Sequence, residues 1–500
     1  MTWRLALPLV AAAAACFAAP ASAQNIATID AGKVAGSTER DLLVFKGIPY
    51  AAPPVGDRRW RAPVRPAPWR GVRQATKFGA ACPQPPGRKE PWAQVGPTSE
   101  DCLFLNVWRP AKPGKYPVMV FLHGGGFTFG AAGVPLYDGA NLARRGAVVV
   151  TLNYRMGLLG FFAHPALTKE SPGEPLGNYG IMDQIEALRW VKRNIAAFSG
   201  DAGNVMVFGE SAGAGTVQIM MGSPAAAGLF QRAGSESGAG GSVLPSFAQA
   251  EALGQKLSDA AGLRDVTAAQ LRALPVDKLL MRSFPFIDGR IVIASPGTPF
   301  ARRREAKVPL LIGANSNEAT LSSNNAAAVK QVLGDAVAGF EQGYIAARPG
   351  KSVDAAKTDL AEDVLSILPS LSIGVMHAEA GAPAYGYYFD QVPSNLRAGS
   401  AGTGHGDEVQ YVFGNPYEGT VWDDADRLVA KATGDYWVNF ARTGDPNGKG
   451  TVAWPRIDAG GAARYVVIGT PITARSLTPL EEKARAASLA ASAAGWAKER

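Results

Sequence analysis

The sequence contains few cysteines and few histidines for its length. Of its 500 residues, three are cysteine and four are histidine, so at most one disulfide can form. Cys16 lies in the apolar N-terminal segment, which leaves Cys82 and Cys102. In an oxidising compartment two remaining thiols suggest one disulfide. The alternative, two buried free thiols, is less favoured, although the sequence does not show whether the two Cα atoms are close enough for a disulfide.

Long apolar runs are also missing, apart from one at the N-terminus. Residues 1–23 combine the basic Arg4, an apolar stretch over residues 5–19 and the small residues Ala21-Ser22-Ala23. This pattern is typical of a secretory signal peptide that is cleaved after Ala23. A lipoprotein modified at Cys16 is the alternative, which the residues before that cysteine disfavour. No later run is long enough to span a bilayer, so we expect a secreted or periplasmic protein without a membrane span.

Concentrated charge, repeats and linkers are absent as well. The formal net charge is +8, but the basic residues are scattered, and the one run, Arg302-Arg303-Arg304, is followed by Glu305. This favours a solvated helix or loop over a nucleic-acid patch, so no nucleic-acid partner is expected. Without a linker or a fixed repeat, residues 24–500 are predicted to form a single large domain with insertions.

Several short apolar runs predict strands that are buried on both faces, because they are continuous rather than alternating. They lie at residues 118–122, 147–152, 205–208, 308–312 and 385–389. Apolar residues at helical spacing occur at residues 179–198, 428–440 and 484–496. Strands that alternate with helices predict an α/β fold, with a mostly parallel sheet covered on both faces. In such sheets ligands bind beyond the carboxyl ends of the strands.

Ser211 stands where one of these runs ends, in a Gly-x-Ser-x-Gly frame between Gly209 and Gly213. A predicted strand precedes it and a run of small residues at a predicted helix start follows it. A nucleophile elbow requires this strand–turn–helix order, because flanking side chains would clash in so sharp a turn. The N-terminus of the helix would also face developing negative charge. The alternative is a strand that ends in a glycine-rich loop.

A serine nucleophile needs a base, and four histidines are available. His123 begins the run His123-Gly124-Gly125-Gly126 and is interpreted as structural, since the glycine amides suit an oxyanion. His164 lies in a turn, and His377 lies in an apolar helical pattern. By elimination the base is His405, in a loop after the last predicted strand.

The base in turn needs a carboxylate that fixes its tautomer. Glu318 follows the predicted strand at residues 308–312 and is the preferred candidate, with Asp288, Asp390 and Asp407 as rivals. Asp288 is interpreted as a turn residue before Gly289. With Glu318 the chain order is serine, acid, histidine, which is the order of the α/β-hydrolase fold.

In these residues and in several further motifs the chain resembles the type-B carboxylesterases, the group that contains bacterial para-nitrobenzyl esterases, fungal lipases and cholinesterases. The matching segments follow in the family's order and run nearly end to end. They are residues 45–51 (FKGIPYA), 99–103 (SEDCL), 123–127 (HGGGF), 177–180 (GNYG), 208–214 (FGESAGA) and 439–441 (NFA).

The resemblance implies a serine esterase with an α/β-hydrolase fold that acts on an ester and water and needs no metal or cofactor. It implies that Ser211 is the nucleophile, Glu318 the acid and His405 the base, and that the oxyanion hole consists of the N–H groups of Gly125, Gly126 and Ala212. It further implies a buried acid beside the nucleophile, Glu210, and a serine behind the triad, Ser237. The family's first disulfide would join Cys82 and Cys102. Two positions depart from the family's pattern: Ala319 replaces the glycine usual after the acid, and Trp92, ten residues before Cys102, is interpreted as packing rather than as a choline-binding residue.

The sequence leaves two further hypotheses about function open. The same chemistry could be specialised for lipid, aromatic polyester or feruloyl, or bulky tricarballylate esters, which would differ in the loops over the pocket, predicted at residues 234–263 and 322–369. The other hypothesis is a non-catalytic, cholinesterase-like binding protein, since a fold does not fix a function. Relatives of that kind typically lose the nucleophile or the base, whereas both are present here.

Overall fold

The computed structural model describes residues 25–499, except residues 88, 89, 91, 92, 175, 239, 319–324, 461 and 462. The predicted signal peptide, Trp92 and Ala319 therefore lie outside the described residues.

A large mixed sheet forms the centre of the molecule, and a small three-stranded sheet, ordered β1-β2-β5, lies near the N-terminus. The strands are β1 (Ile26–Ile29), β2 (Gly32–Ala35), β3 (Ser37–Glu39), β4 (Leu42–Pro49), β5 (Val72–Gln74), β6 (Phe104–Pro110), β7 (Tyr116–Leu122), β8 (Val148–Leu152), β9 (Gly200–Glu210), β10 (Arg232–Glu236), β11 (Leu310–Asn315), β12 (Ala384–Phe389), β13 (Arg464–Ile468) and β14 (Thr473–Ser476).

The large sheet has the order β14-β13-β12-β11-β10-β9-β7-β8-β6-β4-β3. Its strands from β13 to β8 are parallel, and antiparallel strands flank them at both edges. The strand order reverses beside β7, because β8 pairs with one side of it and β9 with the other. Such a reversal opens a crevice at the carboxyl ends of the strands, where open α/β sheets bind their ligands.

Helices connect the strands and cover the sheet. They are α1 (Ala140–Arg144), α2 (Gly157–Gly160), α3 (Pro165–Glu170), α4 (Tyr179–Asn194), α5 (Ala212–Gly222), α6 (Phe247–Ala260), α7 (Ala268–Arg272), α8 (Thr298–Ala301), α9 (Asn325–Leu333), α10 (Val337–Ala347), α11 (Val353–Glu362), α12 (Leu368–Glu379), α13 (Val409–Phe413), α14 (Asp424–Thr443) and α15 (Pro479–Trp496).

Most of the central strands are buried on both faces, as their continuous apolar sequences predict. Strand β10 is buried as well, but its sequence RAGSE has no apolar run and did not predict a strand. Along β7, Val118 and Val120 belong to the core cluster that contains apolar residues of α4. Met119 and Phe121 point to the opposite face, into the cluster that contains residues of α14. Because successive side chains of a strand alternate between faces, one apolar strand contributes to two cores. The predicted α/β fold, with a mostly parallel sheet covered on both faces, is confirmed.

Some predicted boundaries were wrong. Strand β9 extends to Gly200 at one end and to Glu210 at the other, and the run at residues 147–152 begins as a strand one residue later. His405 does not follow the last strand, because β13 and β14 come after it. Strand β14 is exposed along its whole length, so it lacks the apolar signal of a buried strand.

One helical stretch in the described part of the chain, Val353–Glu379, is long and apolar enough to cross a membrane by length and composition alone. In this fold 83% of its most apolar window is buried inside the protein, as in the core helix of a globular domain.

The basic run Arg302-Arg303-Arg304 is exposed after α8, whereas Glu305 is buried and accepts a hydrogen bond from His377 Nδ1 at 3.0 Å.

Candidate active site

Ser211 occupies a strained turn between β9 and α5. Its backbone has φ 55° and ψ −118°, a combination that non-glycine residues rarely adopt. Its N–H donates to the carbonyl oxygen of Glu236, the last residue of β10, at 2.8 Å. A Cβ on Gly209 would lie 2.6 Å from the carbonyl oxygen of Leu122, and a Cβ on Gly213 would overlap the same atom. The two glycines thus let the turn and α5 pack directly against the end of β7.

The glycine run that follows β7 lies beside this turn. Leu122 pairs with Gly209 in the parallel ladder, so the loops after β7 and β9 leave the sheet at one place. Gly125 and Gly126 have φ of 100° and 60°, in the left-handed region that favours glycine. Both line the same cleft as Ser211. The run can therefore present backbone N–H groups to an atom bound at the serine.

His123 stays out of this cleft, in agreement with its structural interpretation. Its Nδ1 lies 2.9 Å from the carbonyl oxygen of Gly124, and its ring stacks on Tyr154 with centroids 4.5 Å apart. The hydroxyl of Tyr154 donates to the His123 carbonyl oxygen at 2.8 Å. Burial lowers the pKa of His123 to about 4, so the ring is neutral near neutral pH.

The structure brings His405 and Glu318 into contact. Nδ1 of His405 pairs with Oε2 of Glu318. The other oxygen, Oε1, accepts from the Ser237 hydroxyl at 2.5 Å and from the Asn315 N–H at 2.8 Å. Burial raises the pKa of Glu318, but the charge and hydrogen bond of His405 and these two donors outweigh it and hold the pKa below its usual value. Glu318 is thus an ionised carboxylate with both oxygens hydrogen-bonded, and it fixes the Nδ1 edge of the imidazole.

Loop pairing sets this geometry across 87 residues of sequence. Glu318 follows β11 and His405 follows β12, and these two strands are parallel neighbours. The loops pair at Asn317 and Gly404, and the Asn317 N–H donates to the carbonyl oxygen of Thr403 at 2.9 Å. The carboxyl ends of neighbouring strands therefore deliver the acid and the histidine to the same edge.

The second nitrogen of His405 faces another carboxylate. Nε2 lies 3.1 Å from Oε1 of Glu210, the residue immediately before Ser211. Burial lowers the pKa of His405, but the negative charges of Glu318 and Glu210 raise it to about 10. Burial also raises the pKa of Glu210 to about 7, against the opposing effect of His405. The site consequently favours a positively charged imidazole.

Two further buried acids support this arrangement, and sequence reasoning did not assign them a role. Glu236 accepts from Trp437 Nε1 at 2.5 Å, and burial raises its pKa to about 8 despite that hydrogen bond. Glu408 accepts from the Asn315 side chain, and burial with the neighbouring carboxylates raises its pKa well above the usual value. Glu236 immediately precedes Ser237, and Glu408 follows His405 by three residues. This closeness in sequence to predicted site residues is the signal that could have identified both acids.

Ser211 and His405 open onto a cleft of about 580 Å³. Its lining combines the glycine run, apolar and aromatic side chains and a few charges. The lining residues are Glu90, Gly125, Gly126, Phe129, Leu136, Tyr137, Glu210, Ser211, Arg282, His405, Gly406, Val409 and Tyr417. Among the residues that the structure describes, no group of three or more His, Cys, Asp or Glu side chains could hold a metal ion.

A second, mainly apolar depression of about 260 Å³ adjoins the cleft, and Arg282 borders both. Residues 249–257 of α6 contribute to its wall together with Phe161 and Phe284. The segment 234–263, predicted to lie over the pocket, therefore does flank the site. In the described part of the segment 322–369, by contrast, residues 348–367 line a separate polar cavity with Ser316.

Comparison with known proteins places the chain among relatives. Residues 23–342 and 339–487 match the model of the Carboxylesterase family. The chain belongs to this family and is a carboxylic ester hydrolase. It is 37% identical over 460 residues to fumonisin B1 esterase of Sphingopyxis macrogoltabida. The match covers 86% of this chain and 84% of that protein. The chain is 35% identical over 464 residues to para-nitrobenzyl esterase of Bacillus subtilis (strain 168), covering 86% of this chain and 92% of the relative.

Solved structures agree with this membership. A thermophilic para-nitrobenzyl esterase superposes with a TM-score of 0.81 at 32% identity, covering 93% of this chain and 100% of the other. A carboxylesterase of Geobacillus stearothermophilus gives a TM-score of 0.80 at 32% identity, over 93% of this chain and 99% of the other.

In this carboxylesterase two of the three rival acids, Asp288 and Asp390, are not among the carboxylates that pair with His405. Oδ1 of Asp288 accepts from the N–H groups of Arg290 and Ile291, both at 2.7 Å, so Asp288 holds a turn as interpreted from the sequence. Asp390 is exposed at the end of β12. The expected disulfide between Cys82 and Cys102 is present, with Cα atoms 5.0 Å apart.

Proposed function

We propose that this carboxylesterase cleaves esters through an acyl-enzyme formed on Ser211, with His405 as base and Glu318 as its carboxylate partner. The observation that carries the proposal is the bonding of Glu318. It pairs with His405 Nδ1 and is held by Ser237 and Asn315, at a cleft shared with Ser211. A carboxylate so held fixes the imidazole tautomer and stabilises the imidazolium that forms when the serine proton is accepted.

The chemical steps follow from that arrangement. The Ser211 oxygen attacks the ester carbonyl carbon while its proton passes to Nε2 of His405. The tetrahedral intermediate collapses, the C–O bond to the alcohol breaks, and His405 returns the proton to the leaving alkoxide. Water then attacks the acyl-enzyme in the same way, which releases the acid and restores the serine.

We propose that the N–H groups of Gly125, Gly126 and Ala212 bind the oxyanion. The positive φ values of both glycines, their place on the cleft wall and the start of α5 at Ala212 support this role. Donors fixed before the reaction need no reorganisation when charge develops, and one such donor typically contributes about 2.7–4 kcal/mol of transition-state stabilisation.

We propose that Glu210 acts on the same charge. Its carboxylate lies 3.1 Å from Nε2 of His405, so it stabilises the imidazolium after the proton has moved from the serine. The stabilisation also holds the proton on the resting histidine. The consequence is an activity that rises with pH as His405 loses that proton.

The residues that line the cleft are compatible with several classes of ester substrate. The cleft with its aromatic wall and the apolar depression beside it support an ester with an alkyl or aryl part. The similarity to fumonisin B1 esterase supports including fumonisin B1 among the esters to be tested, beside lipid, feruloyl and tricarballylate esters. Comparing kcat/KM for short-chain, long-chain and aromatic esters distinguishes these classes.

We also propose that the protein is exported to the periplasm or beyond the cell. The composition of residues 1–23 supports a cleavable signal peptide. The disulfide between Cys82 and Cys102 supports an oxidising compartment. Mass spectrometry of the protein from cell fractions tests the proposal: an exported chain that begins at Gln24 is expected, and a cytoplasmic chain that retains Met1 contradicts it.

A fluorophosphonate probe tests the catalytic proposal directly. We expect a covalent adduct on Ser211 by peptide mapping, and its loss in His405→Ala, which lacks the base. A folded protein that forms no adduct at Ser211 would contradict the proposal and favour a non-catalytic binding protein. Circular dichroism and thermal unfolding confirm that each variant is folded.

A further inference from the structure

Arg282 places a guanidinium at the wall of the catalytic cleft. It lines the cleft together with Gly126 and Ser211. A Cβ built on Gly126 would lie 3.3 Å from Nη2 of Arg282, so the guanidinium stands beside the glycine run. Its carbon Cζ lies 4.8 Å from the centroid of the Phe284 ring, which supports the planar group from one side.

The backbone on both sides of Arg282 is held against the fold. The Met281 carbonyl oxygen accepts from the Leu158 N–H at 3.2 Å, and the Ser283 hydroxyl donates to the carbonyl oxygen of Phe161 at 2.6 Å. The residue is therefore anchored beside the cleft, while its long side chain is exposed to solvent.

Arg282 has no acceptor among the residues that the structure describes. Within the described ranges it takes part in no ion pair and no hydrogen bond, and its side chain makes a cation–π contact with Phe284. By comparison, Arg272 pairs with Glu170 at 2.6 Å, and Arg155 pairs with Asp183 at 2.7 Å. The other charges that line the cleft are those of Glu90, Glu210 and His405. All five donors of this guanidinium thus stay available to a bound molecule.

We infer that Arg282 binds a free carboxylate in the acid part of the ester, so that the preferred substrates are mono-esters of di- or polycarboxylic acids. The inference rests on the proposed function of Ser211. A guanidinium recognises a carboxylate through two parallel hydrogen bonds, which a neutral ester group cannot form as strongly. The leaving oxygen must face His405, which donates its proton, while the carbonyl oxygen of the acid part binds at the proposed oxyanion hole of the glycine run, beside Arg282.

Paired substrates test the inference. One member is the mono-4-nitrophenyl ester of succinic, glutaric or adipic acid, and the other is the same compound with its free acid capped as a methyl ester. Both release 4-nitrophenolate, and spontaneous hydrolysis is subtracted. The measured quantity is the ratio of kcat/KM for the anionic member to kcat/KM for the neutral member.

We expect this ratio to fall about tenfold or more in Arg282→Gln, because a hydrogen bond to a charged group contributes about 1.5–3 kcal/mol. Arg282→Lys keeps the charge without the planar fork and should retain part of the preference. Arg264→Gln removes an exposed arginine that lies outside the cleft lining and should leave the ratio as in the wild type. Raising the ionic strength should reduce the ratio in the wild type.

Two results overturn the inference: a wild-type ratio that Arg282→Gln does not change, or hydrolysis of the neutral members with rejection of the anionic ones. Failure of the proposed function gives a different result, since neither member of a pair is then hydrolysed and Ser211 is not labelled. Thermal unfolding of each variant shows whether a changed ratio reflects the site or the fold.

Discussion

The carbonyl oxygen of Leu122 occupies the space where a side chain on Gly213 would begin. This contact joins the end of β7 to the first turn of α5, and Ser211 stands between them. The glycine at this position is thus needed for a close approach within the molecule, in addition to the sharp turn that the serine motif requires.

Gly213→Ala should disrupt the turn at Ser211. The added methyl overlaps a backbone atom that cannot move away, so we expect the loss of more than about 2 kcal/mol of folding free energy, with most of the esterase activity. Gly215→Ala is the matched control in the same helix: its Cβ would be 4.0 Å from the nearest atom, and alanine should stabilise the helix by up to about 1 kcal/mol. Urea unfolding and ester hydrolysis measure both effects; equal behaviour of the two variants would contradict this account.

Ser237→Ala should slow the chemical step. It removes the 2.5 Å hydrogen bond to Glu318 and leaves that carboxylate less well fixed. We expect kcat to fall about tenfold to a hundredfold with little change in KM, since a hydrogen bond to a charged group contributes about 1.5–3 kcal/mol.

A neighbouring serine provides the control for that measurement. Ser235 is also buried, on β10, but it accepts from Gln218 Nε2 at 2.9 Å and does not contact the acid. Ser235→Ala should therefore lower stability without a comparable fall in kcat. An unchanged kcat in Ser237→Ala would show that Asn315 alone positions Glu318.

Glu210→Gln should move the acidic limb of the pH–activity profile to lower pH. The folded-state pKa of His405 is raised by two carboxylates, and only the neutral imidazole accepts the serine proton, so activity rises as pH increases through that pKa. Removing one negative charge lowers the pKa, and we expect the limb in kcat/KM to shift by about 1–3 units.

Glu174→Gln, at an exposed position away from the cleft lining, controls for the general effect of one lost charge and should leave the limb in place. If Glu210→Gln shifts the limb to higher pH or not at all, Glu210 does not hold the proton on His405.

Replacing Cys82 and Cys102 by serine should destabilise the protein. The two residues are 20 positions apart, and opening a loop of this length costs about 2–4 kcal/mol through the added entropy of the unfolded chain. The Gln84 side chain, within the loop, bonds to both the N–H and the carbonyl oxygen of Gly130, which ties the loop to the segment after the glycine run.

We therefore expect the double variant to unfold at lower urea concentration and to show a raised KM, because Glu90 of the same loop lines the cleft. Wild-type protein refolded under reducing conditions should behave like the variant. An unchanged unfolding midpoint would mean that the packing around the loop holds it without the covalent link.

Local chemistry made part of the site predictable from the sequence. The strand, the serine between glycines and the small-residue helix start are contiguous, so the turn at Ser211 follows from backbone sterics within a dozen residues. The buried strands β7, β8, β9, β11 and β12 were predictable for a similar reason, since continuous apolar runs can be covered only from both sides. Strand β10, with the sequence RAGSE, is central and buried without such a run, and it was missed. The exposed edge strand β14 carries no such signal and was missed.

The pairing of residues distant in the chain depended on the tertiary structure. Elimination selected His405, and Glu318 was selected by its place after a predicted strand, but their contact exists because β11 and β12 are parallel neighbours whose loops pair at Asn317 and Gly404. The buried carboxylates Glu236 and Glu408 acquire their raised pKa values from burial, which a sequence does not display.

The sequence by itself determined the fold class, the elbow and the residue types of the active site, because periodicity and short-range sterics act within a few turns of chain. The tertiary structure decided which charges meet. Arg282 has no motif and no characteristic spacing; what marks it is its position beside Gly126 and the lack of an acceptor among the described residues. Electrostatic interactions depend on distance and burial in three dimensions, and neither is written in the order of the residues.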